Sequence, residues 1–226
     1  AYYKNGQVKY TPIDCVIVRS HVQMKCSAVA GIGFGYQWTV FSNDQSSHAS
    51  LDTLDYAKPV ITKIVNDTNV ITTHGTDTIV LGGTNFGHYR NIYYEANYSN
   101  AKLHYSVLCR VIKLHTALIC QTKPGIGKNL KWVVKIGGLI SEPSEKEIRY
   151  RKPVVVKVQF VLFKSIPTPF LIVGMHFGPV GTNVDATFGE ERKKCVGGID
   201  FCYNELSVQI TGKCVVIKND IEINCT

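Results

Sequence analysis

The sequence has no apolar run approaching the ~18 residues of a membrane-spanning helix. Its longest apolar stretches break within a few positions. A helical membrane segment is excluded within these residues. No secretory leader or initiator methionine stands before Ala1-Tyr2-Tyr3, so the chain reads as mature or excised. No segment carries a helical apolar period. No Gly/Ser-rich linker interrupts it. No basic run exceeds Arg192-Lys193-Lys194, which Glu190-Glu191 neutralise, so a dedicated nucleic-acid patch is not visible. No His-x-x-x-His, His-Glu-x-x-His or Gly-x-Ser-x-Gly pattern occurs, and no cysteines lie two to four residues apart. These absences argue against helical zinc hydrolases, serine hydrolases and structural zinc sites. No Cys/His dyad or recurring acidic pair suggests catalysis. The sequence implies no enzyme, no cofactor and no metal.

What is present is an ordinary globular composition, 45% apolar and 19% charged. At roughly 100–150 residues per domain, 226 residues predict about two domains. The net charge of +8 is unevenly spread. Residues 1–56 balance 4 basic against 4 acidic residues, 57–150 carry 12 against 6, and 151–226 carry 9 against 7. A soluble surface accounts for this excess. The sharper reading is attraction to an anionic partner such as acidic glycan or nucleic acid.

Eight cysteines are present: Cys15, Cys26, Cys109, Cys120, Cys195, Cys202, Cys214 and Cys225. Eight allow 105 pairings. The spacing selects among them, because Cys15/Cys26, Cys109/Cys120 and Cys214/Cys225 are each 11 apart. The segments between them align with one another. The first two continue in register at a spacing of 94: Gly31-Ile32-Gly33 with Gly125-Ile126-Gly127, Trp38 with Trp132, Ser47 with Ser141, and Leu54–Pro59 with Ile148–Pro153. A second block pairs Pro59–Ile64 with Pro153–Val158. It also pairs Gly83-Thr84-Asn85-Phe86-Gly87 with Gly174-Met175-His176-Phe177-Gly178. The chain thus divides into the C-terminal part of one unit (1–57), a whole unit (58–151) and the N-terminal part of a third (152–226). The junctions leave little room for swing.

Short β-rich runs alternate with turn signals such as Asn66-Asp67, Gly82-Gly83 and Gly137-Gly138. About seven short strands per unit indicate an all-β, antiparallel sandwich of immunoglobulin-like type. A two-residue turn at Leu114-His115 places Cys109 opposite Cys120, within disulfide reach. The same fold-back centres on Ser20-His21 and Asn219-Asp220. Cys195 and Cys202 flank Gly197-Gly198 and close a separate loop.

The unit resembles the IPT/TIG domain, the immunoglobulin-like fold of plexins, the hepatocyte growth factor receptor, fibrocystin and many protist surface proteins. The resemblance rests on Pro59–Ile64, Gly82–Gly87, Cys109 to Cys120, Thr122–Leu130 and Val134–Gly138 before Ser141. It covers 58–151 and part of both flanks. Two departures stand out: Ala30 replaces Pro124, and the third unit carries a longer stretch with Cys195 and Cys202. The resemblance implies tandem immunoglobulin-like sandwiches, incomplete at both chain ends.

Three Asn-x-Ser/Thr sequons, at Asn66, Asn97 and Asn224, are candidate glycosylation sites if the chain follows the secretory route its disulfides imply. Pro124–Asn129 superficially matches a phosphate loop but lacks its first glycine and its Ser/Thr. Trp38 and Trp132 read as core. Tyr2/Tyr3 and Tyr93/Tyr94 read as equivalent strand pairs with alternate members exposed. His21 and His115 read as exposed turn residues.

These readings converge on a non-catalytic, secreted or cell-surface protein for recognition, adhesion or an extended glycosylated filament. Its partners are neighbouring units of the same or another copy, N-linked glycans and a cell-surface protein, with no nucleic acid. Three alternatives stand: a receptor ectodomain of plexin or growth-factor type, a Rel-type DNA-binding domain, and a carbohydrate-binding module attached to an enzyme. The broken outer units expose sheet edges. Either the chain is a window on a longer array or copies complete each other by strand addition.

Overall fold

Side chains alternate between exposed and more buried positions over 93–98, 131–136 and 213–217, as a half-buried pleated surface requires. The computed structural model describes residues 1–6, 8–65, 68–88, 92–160, 170–188, 191–195, 202–206 and 210–225. For 160, 170, 187–188, 191–195, 202–206, 210–212 and 224 it describes the backbone alone. Among the described residues the chain is all-β. It folds as two compact units. One comprises Ala1–Asn69, Asp77–Thr122 and Lys128–Ile148; the other comprises Val70–Thr76, Lys123–Gly127 and Arg149–Thr226.

In the first unit, residues 1–57 supply β1 (Tyr2–Asn5), β2 (Val8–Tyr10), β3 (Ile13–Arg19), β4 (Gln23–Ser27), β5 (Gln37–Thr39), β6 (Phe41–Ser42) and β7 (Gln45–Ser46). Strands β2, β1 and β5 form a three-stranded antiparallel sheet. Its core is a cluster of Tyr3, Tyr10 and Tyr36, flanked by Val29, Trp38, Leu54 and Tyr56. Among the described residues, strands β3 and β4 pair only with each other, as do β6 and β7.

Residues 58–151 supply β8 (Val60–Val65), β9 (Val70–Ile71), β10 (Thr78–Thr84), β11 (Tyr93–Ser99), β12 (His104–Lys113), β13 (Ala117–Gln121), β14 (Lys131–Ile136), β15 (Leu139–Ile140) and β16 (Arg149–Tyr150). Seven of these form one antiparallel sheet in the order β15-β14-β11-β12-β13-β10-β8. The long strand β12 joins its two halves: His104–Arg110 pairs with β11, and Cys109–Lys113 pairs with β13. Ile79, Leu81, Leu118, Trp132 and Val134 are fully buried on the inward face.

The second unit contains β9 and β16, which pair in parallel. It also holds β17 (Val154–Phe160), β18 (Phe170–Met175), β19 (Asn183–Phe188), β20 (Glu191–Cys195), β21 (Cys202–Leu206), β22 (Ile210–Lys218) and β23 (Glu222–Cys225). Five strands form a sheet in the order β17-β18-β23-β22-β19, and β20 pairs with β21. Ile172, Phe177, Cys214, Val216, Ile223 and Cys225 form its core.

The spacing of 94 seen in the sequence recurs in the bonding. Ser50 Oγ accepts from Trp38 N–H at 2.9 Å, and Ser144 Oγ accepts from Trp132 N–H at 3.0 Å. Ser47 and Ser141 accept in the same way from Val40 and Val134. Tyr56 donates its hydroxyl proton to the Val29 carbonyl, and Tyr150 donates to Lys123. The side-chain amides of Asn5 and Asn100, 95 apart, donate to the carbonyls of Phe34 and Lys128, 94 apart.

Candidate functional site

The expected hairpins are present, and three disulfides join Cys15–Cys26, Cys109–Cys120 and Cys214–Cys225, with Cα–Cα distances of 4.1, 4.3 and 4.1 Å. The backbone register sets Cys195 opposite Cys202; their side chains lie outside the description. The turn differs from the two-residue expectation. Cys109 faces Cys120, but Lys113 faces Ala117 after a bulge, which leaves a three-residue loop, Leu114–Thr116. His115 takes a left-handed conformation (φ 59°), as do His21 (65°) and Asp220 (62°). His21 is exposed as expected, His115 is half-buried, and Asp220 is only 3% exposed.

The hairpin tips explain this burial. In 58–151 the tip grips the turn after β10: Phe86 N–H donates to the His115 carbonyl at 3.1 Å and His115 N–H to the Gly87 carbonyl at 2.8 Å. In 152–226 Phe177 N–H donates to the Asp220 carbonyl at 3.4 Å and Asp220 N–H to the Gly178 carbonyl at 2.8 Å. Two unlike residues, His and Asp, perform one backbone task because each tolerates positive φ better than most side chains. The loop Gly31-Ile32-Gly33 then abuts the same turn. A Cβ built at Gly87 would lie 3.3 Å from the Ile32 methyl, and one at Gly178 would lie 2.4 Å from that of Ile126. Ile32 and Ile126 thus occupy corresponding places against the two Phe-Gly turns.

Within the second unit, the Asp220 carboxylate gathers polar groups. Its Oδ1 accepts from Gly178 N–H at 2.7 Å. Its Oδ2 accepts from the Thr73 hydroxyl at 2.6 Å and lies 3.1 Å from His74 Nδ1. Thr73 Oγ1 is also 3.3 Å from His176 Nδ1. A depression of about 140 Å3 borders these residues. Thr73 is 1% exposed and donates its hydroxyl hydrogen bond to the carboxylate, so the arrangement is buried with its partners in place. It works as a clasp that satisfies a buried carboxylate.

The outward face of β11 and its neighbours presents different chemistry. Tyr93 and Leu108 are 62% and 61% exposed. With Arg110, Ile119 and Gln121 they line a shallow depression of about 250 Å3. Asn97 lies four residues along the same strand, roughly 13 Å from Tyr93 at strand rise, half-buried and paired with Ser106 and Val133. Glu95, between them on this face, is bonded to Lys135 at 3.0 Å. Asn66 lies outside the described residues. Asn224 lies on β23 with its backbone paired to Val215 and Leu171; its side chain is outside the description.

Trp132 is core, fully buried, while Trp38 is half-buried. The tyrosine equivalence needs correction. Tyr94 and Tyr3 are buried and Tyr93 is exposed, so alternation holds. However, the residue within 58–151 that corresponds to Tyr3 is Tyr98. Tyr3 packs on Trp38 at 4.6 Å and Tyr10 at 5.5 Å; Tyr98 packs on Trp132 at 4.7 Å and Tyr105 at 5.0 Å. An offset of 95 at this end, against 94 further on, hid the match.

Two titrating groups are displaced in the first unit. Burial, then the hydrogen bond with Tyr3 at 2.8 Å, holds the Tyr56 phenol well above the usual tyrosine range. Burial, then the facing ring of His115 at 6.3 Å, pushes His88 below the usual histidine value. No protein-family model matches the chain, and no curated protein is significantly similar to it.

Proposed function

We propose that the chain is part of a non-catalytic, extracellular array of immunoglobulin-like repeats of IPT/TIG type, with the outward sheet face of β11 and β12 serving recognition or adhesion. One observation carries this reading: a disulfide hairpin of constant spacing occurs three times, and twice its tip grips the Phe-Gly turn of its own repeat through the same two backbone bonds. Disulfides at every such hairpin fit an oxidising compartment. The two-sheet character of an immunoglobulin-like unit is supported by β12, whose two ends pair with different strands while both bury one common face. On the outward face, an exposed tyrosine beside an arginine suits a polar, glycan-bearing or protein partner. Asn97 would carry an N-linked glycan beside it.

The reading is tested by thiol labelling of the native, secreted protein followed by intact mass. None of the eight cysteines should react before reduction, and an endoglycosidase should remove mass that Asn97→Gln also removes. Eight reactive thiols in the native chain would overturn the extracellular placement.

A further inference from the structure

The three disulfide hairpins have unequal surroundings. Strand β13 is covered by β10, with Ile79 opposite Cys120 and Leu81 opposite Leu118. Strand β23 is covered by β18, with Phe170 opposite Cys225 and Ile172 opposite Ile223. Strand β4 has β3 on one side and no described strand on the other. The contrast shows at equivalent residues. Val111 and Val216 are 1% and 0% exposed, whereas Ile17 is 70% exposed. Leu118 and Ile223 are 0% and 2% exposed, whereas Met24 is 42% exposed. Ile13, Val16, Val18 and Val22 are also more than half exposed on this hairpin. An exposed apolar strand with a free edge is a template for pairing.

We infer that the β3–β4 hairpin is a strand-acceptor site whose occupant is a β-strand pair of the array's own repeat type, carrying the pattern of β8, β10 and the Phe-Gly turn. The two covered hairpins prescribe how it binds. An apolar residue of the incoming strand stands opposite Cys26, and a second, two residues on, stands opposite Met24. The Phe-Gly turn that follows meets the hairpin tip, where His21 already holds the left-handed conformation that His115 and Asp220 use to grip that turn. The occupant must also have glycine before the turn, because a side chain at Gly83 or Gly174 meets the carbonyl of Val60 or Val154. The main-chain bonds supply attachment and the alternate apolar residues supply selectivity. Capping by a strand pair is favoured over edge-to-edge pairing of two copies. The latter satisfies the β4 edge but brings no Phe-Gly turn to the tip.

The inference rests on the repeat reading of the chain and is independent of its cellular placement. It is tested on the oxidised full chain with a synthetic peptide of residues 58–88, by hydrogen exchange and sedimentation. Saturating peptide should slow exchange across residues 13–27 by about tenfold or more, with one peptide bound per chain. A peptide carrying Ile79→Asp and Leu81→Asp should give no protection. Ile17→Asp with Met24→Asp in the chain alters only exposed positions and should abolish binding without changing exchange in residues 104–121. Absence of protection at 13–27, with 104–121 protected, would overturn the inference alone. So would a dimer whose hairpin is already protected and resists the peptide. Equally fast exchange in 13–27, 104–121 and 210–225 would overturn the repeat reading beneath it.

Discussion

Gly82 and Gly83 are adjacent on β10, and replacing each with alanine should give opposite results. A Cβ at Gly83 would lie 1.9 Å from the Val60 carbonyl oxygen and 2.6 Å from the Phe86 ring. Ordinary C···O contacts lie near ~3.3–3.6 Å, so β8 must retreat from β10 by more than about 1 Å. Such overpacking costs ~1–3 kcal/mol or more. The high end applies because the obstacle is backbone, held by register on both sides of the bulge between Gly82 and Gly83. For a domain of this size ~3 kcal/mol lowers Tm by about 12–24 °C. A Cβ at Gly82 meets only the Lys63 side chain, at 2.7 Å, and that exposed chain can swing aside. Alanine there removes the strand penalty of glycine, ~0.5–1 kcal/mol, so Gly82→Ala should be neutral or slightly stabilising. Gly174→Ala should reproduce Gly83→Ala, since its Cβ would lie 2.0 Å from the Val154 carbonyl. Thermal unfolding of the oxidised proteins by circular dichroism measures all three. If Gly83→Ala proves no more harmful than Gly82→Ala, the close approach of β8 to β10 is wrong.

Three further outcomes are expected. Ser144→Ala leaves the buried Trp132 N–H unpaired and should cost ~1–3 kcal/mol in urea unfolding, more than Ser50→Ala, whose site is less buried; equal costs would refute the distinction. Replacing Cys109 and Cys120 together with alanine removes a short-loop constraint of about 3 kcal/mol at most and a buried contact besides, while the same change at Cys15 and Cys26 should barely move the global transition. His88 binds its proton less readily in the folded chain than in the unfolded one. Its contribution is complete above the unfolded value near ~6.5 and declines as pH falls through the depressed folded value. Denaturation between pH 7 and 5 should therefore show lost stability that His88→Gln reduces; an unchanged slope would refute the assignment.

The hairpins were legible because a disulfide imposes opposition on two positions, and constant spacing therefore prescribes register. The number of residues in the turn was not legible. Cys109 and Cys120 face each other whether two residues turn the corner or three turn it behind a bulge, and His115 gives no glycine signal for its positive φ. The Trp132 core position followed from its recurrence at Trp38, but the differing burial of the two tryptophans depends on surroundings that pairwise alignment does not contain. The parallel contact of Val70-Ile71 with Arg149-Tyr150 joins segments nearly 80 residues apart through two residues each, too short a pattern to read. The outward face at Tyr93, Leu108 and Arg110 was half-legible: alternation exposed Tyr93, but only the pairing of β11, β12 and β13 assembles the depression.

The disulfide hairpins also set how the chain answers to tension. Each closes 11 residues of contour between cysteines whose Cα atoms stay 4.1–4.3 Å apart. Drawn straight, that stretch would measure about 36–40 Å. An oxidised hairpin therefore withholds roughly 35 Å of length, however completely the strands around it are pulled apart. All three hairpins withhold the same length. Under load the three loops act as identical stops, and reduction becomes a chemical means of lengthening the chain.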